Sequence, residues 1–296
     1  MSRLRAPTSS HCLLILATIM LLVSTARADS PDCDGSPSPL DNTFLTVGTL
    51  NMAHGRKDAH NQMFLSEERI RQNLAELATL LDRANADVIA LQEVDAPSWW
   101  SGKFNHAEFL ARQSRYHCLV HGIHASNRIY RFGTALISPH PLQGQQVHSF
   151  QPSWPTTTKG FTRAELAWNP GGRLDQPLKL TFVSVHLDFS RRSVRRAQID
   201  EMTRALENTE GPMILMGDFN TDWLSEGSSL KLLAENLGLR AYEPHAEGMA
   251  TYGDESARLD WILVSPRLRF RRYAVYPDVV SDHYAVAAEI EWAEKP

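Results

Sequence analysis

From about residue 44 to residue 292, short apolar runs alternate with longer segments whose apolar residues recur every three or four positions. That is the pattern of strands interleaved with helices. Strands are predicted at 44–50, 88–91, 116–120, 134–137, 161–168, 178–185, 213–216, 259–264, 268–275 and 284–292, and helices at 66–84, 107–115, 193–207 and 228–236. The strongest helix is 66–84, where Ser66 supplies an N-cap, Glu67 and Glu68 fill the first turn, and Ile70, Leu74, Leu77 and Leu81 share one face. Strands 161–168 and 178–185 flank Asn169-Pro170-Gly171-Gly172, which is hairpin-turn chemistry, so they are expected to pair antiparallel. No repeat, linker or low-complexity tract breaks the pattern, which argues for one domain over 43–296. Hairpins mixed with helical crossovers imply mixed sheets with helices outside.

The amino terminus follows a different pattern. Arg3 and Arg5 precede an apolar run over 13–23, and Ala26-Arg27-Ala28 follows as a small-x-small site. Together these predict a signal peptide over 1–28, cleaved after Ala28 on export to the periplasm or the exterior. The run falls short of the ~20 apolar residues that span a bilayer. Residues 29–42 are rich in Pro, Ser and Asp and read as a flexible tether.

Export changes the charge and the cysteine chemistry. Removing three arginines from a net charge of −4 leaves −7, which argues against a general polyanion binder held by diffuse charge. Cys12 departs with the leader, and the remaining Cys33 and Cys118 could form a disulfide or stay free. A composition of 43% hydrophobic and 22% charged residues suits a globular protein with a sizeable core.

Several predicted strands end in residues able to bind metal or move protons. Asn51 follows the first, Glu93 the second, His186 and Asp188 the strand at 178–185, and Asp218 and Asn220 the strand at 213–216. Asp282 and His283 precede the last strand, and Asp260 lies inside an apolar run, where a buried carboxylate must have a partner. Taken singly, each has an ordinary reading as a turn, a solvated strand end or a hydrogen-bonded core histidine. Gathered in one cleft, they would suit hydrolysis of a phosphate ester, which needs a hard cation on the phosphate oxygens and a base at the attacking water.

The segments GTLNM, LQEVD, SVHLD, MGDFN, RLDWIL and SDHYAV, in that order, resemble the endonuclease/exonuclease/phosphatase superfamily, over about 46–290. The resemblance implies an α/β fold like that of pancreatic deoxyribonuclease (DNase I-like), a four-layer sandwich of two mixed sheets flanked by helices. It implies Glu93 as principal ligand of Mg²⁺ or Mn²⁺, with Asn51 and Asp282 near the metal. Asp218 would position or deprotonate water, Asn220 would bind a phosphate oxygen, and His186 would stabilise the phosphate. His283 would act in acid/base or phosphate contact, oriented by Asp260.

Within that superfamily two branches fit poorly. Inositol polyphosphate 5-phosphatases carry a WCDR-type segment where this chain has Arg258-Leu259-Asp260-Trp261, and abasic-site endonucleases usually show a lysine after their QE motif, where this chain has Val94-Asp95. A nuclease and a sphingomyelinase-like phosphodiesterase of lipid headgroups remain, and nothing indicates an obligate protein partner. Arg191 and Arg195, in the basic run 191–196, are candidate phosphate contacts, as is Arg163. Trp99-Trp100 reads as a membrane-facing pair, a base-stacking platform or a packed loop anchor. A binding module without turnover is the alternative of another class, and the complete set of site residues speaks against it.

Overall fold

The computed structural model describes Cys33, residues 38–253 and residues 257–293; the predicted leader lies outside the described residues. In chain order the elements are β1 (Phe44–Asn51), α1 (Glu67–Ala84), β2 (Val88–Asp95), α2 (His106–Gln113), β3 (Cys118–Ser126), β4 (Arg131–Ser138), β5 (Gln143–Ser149), β6 (Gly160–Trp168), β7 (Leu178–His186), α3 (Arg192–Leu206), β8 (Met213–Asp218), α4 (Ser229–Leu237), β9 (Arg240–Ala241), β10 (Asp260–Val264), β11 (Leu268–Val275) and β12 (Val286–Trp292).

They form two six-stranded mixed sheets, ordered β11-β12-β1-β2-β4-β3 and β5-β6-β7-β8-β10-β9. The sheets stack face to face over Val47, Leu136, Phe182, Ile214, Met216 and Ile262. On the outside of the first, α1 and α2 bury Ile70, Leu74, Leu77 and Leu110. On the outside of the second, α3 and α4 bury Ile199, Met202, Leu230 and Leu233. The result is the expected four-layer sandwich. Each inner strand is apolar on both faces because each sheet is covered twice.

Local sequence accounts for most of the elements. Ser66 accepts a hydrogen bond from the Arg69 amide and starts α1, while Asn85 in the left-handed conformation ends it. The β6–β7 hairpin pairs antiparallel from Gly160↔His186 to Trp168↔Leu178, as its turn residues predict. Two strands were not anticipated. β5 is Gln-Gly-Gln-Gln-Val-His-Ser, an edge strand with no apolar alternation, and β9 is only two residues long.

The stretch read as a tether is held at two points. Leu40 accepts from the Asn169 amide and donates to the Ala167 carbonyl, beside the indole of Trp168, which donates to the carbonyl of Asn42. Cys33 is bridged to Cys118 at the start of β3, with Cα atoms 5.3 Å apart. Leu40 is an apolar residue in a polar run, and packing it against the core fixes the backbone around it.

The topology concentrates one set of strand ends. β1 and β2 are parallel and finish at the same end, as do β7 and β8. Their antiparallel neighbours β4, β6, β10 and β12 begin there. Gly217 is the tight point of this end: its φ of 149° suits glycine, and a Cβ there would collide with the Val185 carbonyl of the adjacent strand. Gly217→Ala is therefore expected to destabilise the fold by roughly 2–4 kcal/mol. The change would be read as a lowered urea midpoint.

Candidate active site

Pairing register sets the frame of the site. His186, Asp218 and Asp260 stand directly opposite one another on β7, β8 and β10, so their side chains line one face in a row. One pleat further from that end on the same face, Ser184, Met216 and Ile262 are buried and paired in register. The row thus continues the inter-sheet layer to its open end.

The first sheet contributes Asn51 from the end of β1. Its Nδ2 donates to Asp218 Oδ2 at 3.0 Å, and its Oδ1 accepts from the Ala53 amide at 3.0 Å. Glu93 comes from β2, where the ladder with β4 breaks between Gln92 and Val94 and Glu93 adopts a φ of 54°. Such a bulge re-aims one side chain while its neighbours keep their places. Gln92 faces inward and bonds Thr49 and Ser184, and Val94 stays in the outer core.

His283 closes the cluster. Its Nδ1 lies 2.8 Å from Asp260 Oδ2, and its Nε2 lies 3.8 Å from Asp218 Oδ2. Asp260 Oδ2 also accepts from the Thr251 hydroxyl at 2.7 Å, and Oδ1 is buried with no hydrogen-bond partner. His186 Nε2 lies 3.4 Å from the same Asp218 oxygen. Asp218 is therefore the hub where both sheets and both histidines meet.

Three residues absent from the expected set stand in or beside it. Lys159, buried at the start of β6, puts Nζ 3.3 Å from His186 Nδ1 and 3.7 Å from Glu93 Oε1. His54 Nε2 is 3.3 Å from Glu93 Oε2, while its Nδ1 is 2.7 Å from Asp95, which in turn accepts from the Trp100 indole. Arg56 forms an ion pair with Asp282. The signal for Lys159 was its place beside Gly160, which pairs with His186, and this is visible only once the hairpin register is known. For His54 it was its position three residues beyond Asn51.

Electrostatics sort these groups into roles. Burial and the neighbouring Asp260 carboxylate raise Asp218 to about 6, against the pull of His283 and Asn51. Burial disfavours the charged form of His283, but Asp260 and Asp218 outweigh it and raise His283 to about 10. Burial and the Lys159 ammonium keep His186 well below the usual imidazole range. Glu93 is also desolvated, yet His54, Lys159, His186 and His283 hold it below the usual carboxylate range. Near neutral pH the site thus holds an imidazolium at 283, a neutral imidazole at 186 and an ionised Glu93.

The remaining expected residues divide. Asn220 belongs beside the hub, its amide donating to the Leu187 carbonyl and its backbone N–H to Asp218 Oδ1. Arg163 does not join the cluster: strand alternation turns it to the helix-covered face, where it donates to Thr209 and lies 3.8 Å from Glu165. Arg191 and Arg195 are engaged by backbone carbonyls. Arg191 donates to the Ser153 and Trp154 carbonyls and Arg195 to the Asp188 carbonyl, bracing the loop before β6 against the start of α3. Asp188 belongs to the same brace, accepting from the Ser190 and Arg191 amides.

The donor set suits a hard divalent cation. Carboxylate oxygens of Asp218 and Asp260 lie within 4.8 Å of one another, and Asp260 Oδ1 lacks a partner. Glu93 adds a carboxylate that stays ionised. Asp282, expected near the metal, forms an ion pair with Arg56 and acts electrostatically on His283.

Residues 48–283 match the model of a family described as the Endonuclease/Exonuclease/phosphatase family. No curated protein matches the chain. Among solved structures, an endonuclease/exonuclease/phosphatase family protein from Leptotrichia buccalis is similar, with a TM-score of 0.64 and 21% identity over 84% of this chain and 100% of that one. A mannosyl-6-phosphatase of Bacteroides thetaiotaomicron aligns with a TM-score of 0.62 and 16% identity, covering 84% of this chain and 100% of the other. A humanized D. rerio TDP2 aligns with a TM-score of 0.57 and 14% identity, again over 84% and 100%. These likenesses establish the shared fold.

One consequence of the Asp260–His283 contact is measurable without turnover. Asp260→Asn removes the charge that keeps His283 protonated. A pH titration of the His283 ring resonance should then show its pKa fall from about 10 toward the ordinary imidazole value of about 6.5.

Proposed function

The chain belongs to the endonuclease/exonuclease/phosphatase family, and we propose that it is an exported, divalent-metal-dependent hydrolase of phosphodiesters. The observation that carries this reading is the Asp218 hub, tied to Asn51 across the sheets and faced by a histidine that Asp260 holds.

Asp218 is the base. Its carboxylate orients the attacking water and takes a proton from it, a task for which a pKa of about 6 is well placed. Asn51 fixes one carboxylate oxygen and the Asn220 amide N–H the other, so the base is held in one rotamer. The His283 imidazolium directs Nε2 at the reacting centre and offers a proton or positive charge to a phosphate oxygen. Lys159 adds a buried cation on the side of His186, a neutral imidazole able to hydrogen-bond the substrate. Glu93, a carboxylate that stays ionised, would be the principal residue to hold the divalent ion. When bound, that ion supplies positive charge to the phosphate oxygens. His54, fixed by Asp95, orients Glu93 in the manner of a partner behind a ligand.

The leader pattern supports export, and the Cys33–Cys118 bridge suits an oxidising compartment. One structural relative is named a mannosyl-6-phosphatase, so a monoester substrate is the second reading.

Glu93→Gln, Asp218→Asn and His283→Ala are each expected to lower metal-dependent release of nitrophenol from bis-p-nitrophenyl phosphate by about 10²–10⁴-fold, with melting temperatures near wild type. Chelator should abolish the rate and Mg²⁺ or Mn²⁺ restore it. No metal-dependent release from the wild type would leave a binding module, and release only from p-nitrophenyl phosphate would favour the monoester. Because Asp218 acts as a carboxylate, kcat/KM should fall as pH drops through about 6 and level off above it.

A further inference from the structure

The large apolar side chains left exposed are not scattered. Among the described residues there are nine, and eight of them lie on segments leaving the end of the sandwich that carries Asp218, while the ninth, Val279, lies against the second half of α1. The segments at the opposite end and the edge strands hold none of them. Single exposed hydrophobics are ordinary, but their collection at one pole is not.

Two groups flank the site. On the first sheet, Met63 and Phe64 precede α1, Trp99 follows β2, and Ile129 tips the β3–β4 hairpin, its carbonyl accepting from the Trp100 amide. Met63 and Trp99 line one shallow depression. On the second sheet, Trp154 lies before β6, Phe189 after β7 and Leu224 after β8. Asn51 and Glu93 come from the first sheet and His186 and Asp218 from the second, so the site lies between the two groups. Phe64 is 86% exposed, Trp154 88% and Phe189 63%, values that leave nearly whole rings in water. Tyr252, 40% exposed, packs its ring 4.7 Å from that of His283, at the edge of the site itself.

We propose that this pole docks on a phospholipid surface and that the site acts on a phosphodiester headgroup presented there. Aromatic rings on separate protrusions are suited to the interfacial layer, where an apolar body sits among acyl chains. Beside the second group, Arg192 and Arg196 stand exposed at the start of α3, a cationic match for lipid phosphates. A nucleic-acid strand fits less well. Leu224, Ile129 and Met63 offer no ring for a base to stack on, and the chain as a whole is acidic. That the docked headgroup is also cleaved rests on the phosphoesterase reading; docking does not.

The test is sedimentation of the full chain with vesicles of phosphatidylcholine, alone and mixed with phosphatidylserine. Wild type is compared with Phe189→Ser/Leu224→Ser and with Phe64→Ser/Trp99→Ser. All carry the same amino-terminal segment, so differences among them read the loops alone. Burial of one large apolar side chain corresponds to about a tenfold change in partitioning, so each pair should weaken vesicle binding by about 100-fold. The rate on bis-p-nitrophenyl phosphate, which needs no surface, should stay at the wild-type level. Variants that sediment like wild type, or a wild type bound to neither vesicle, would overturn the proposal. So would tight binding of single-stranded DNA that the same substitutions abolish. A wild type that docks but hydrolyses no soluble ester would defeat the phosphoesterase reading and leave the docking surface standing.

Discussion

Everything at the functional end depends on one carboxylate placed where water has been excluded. Asp218 lies on the inner face of the second sheet, and its Oδ2 accepts from Asn51 of the first. Burying an anion is unfavourable unless other groups answer its charge, and those answers come from both sheets and from the loop before β12. The hydrogen bond that satisfies the carboxylate is therefore also a clasp between the layers. The two halves of the sandwich cannot drift apart at this end without leaving a charge unpaired in a dry place.

A second constraint acts through the strained backbone. Glu93 at a φ of 54° and Asn220 at 50° adopt a conformation that non-glycine residues seldom keep, and both flank the hub. In each case hydrogen bonding or packing from neighbours holds the turn: the Gln92 amide bonded across the sheets on one side, the Leu187 carbonyl on the other. The chain accepts local strain where side chains must be aimed, and after Glu93 regular pairing resumes at Val94.

How much of this was readable in advance follows from what determines each part. Strands buried on both faces, such as β1, β7 and β8, declare themselves as apolar runs, and α1 declares itself through its cap and its spacing. β5 does not, because an edge strand needs only one partner and tolerates a polar sequence. Of the site, the residues at strand ends were legible because their type contradicts their apolar surroundings. Lys159 and His54 were not, since a lysine before a strand and a histidine in a loop look like solvated residues until tertiary pairing buries them. Arg163 failed in the opposite sense: its one-residue offset from Thr162 turns it to the far side of the sheet, a matter of phase that charge alone does not reveal.

The bridge between Cys33 and Cys118 takes on a geometric meaning beyond cross-linking. β3 begins at Cys118 and reaches the functional pole only at Ser126, so the covalent knot lies at the reverse pole. Cys33 itself is moored on the far side from the arriving substrate. A bead or fluorophore coupled to the protein at that pole would leave the business end facing outward and unobstructed.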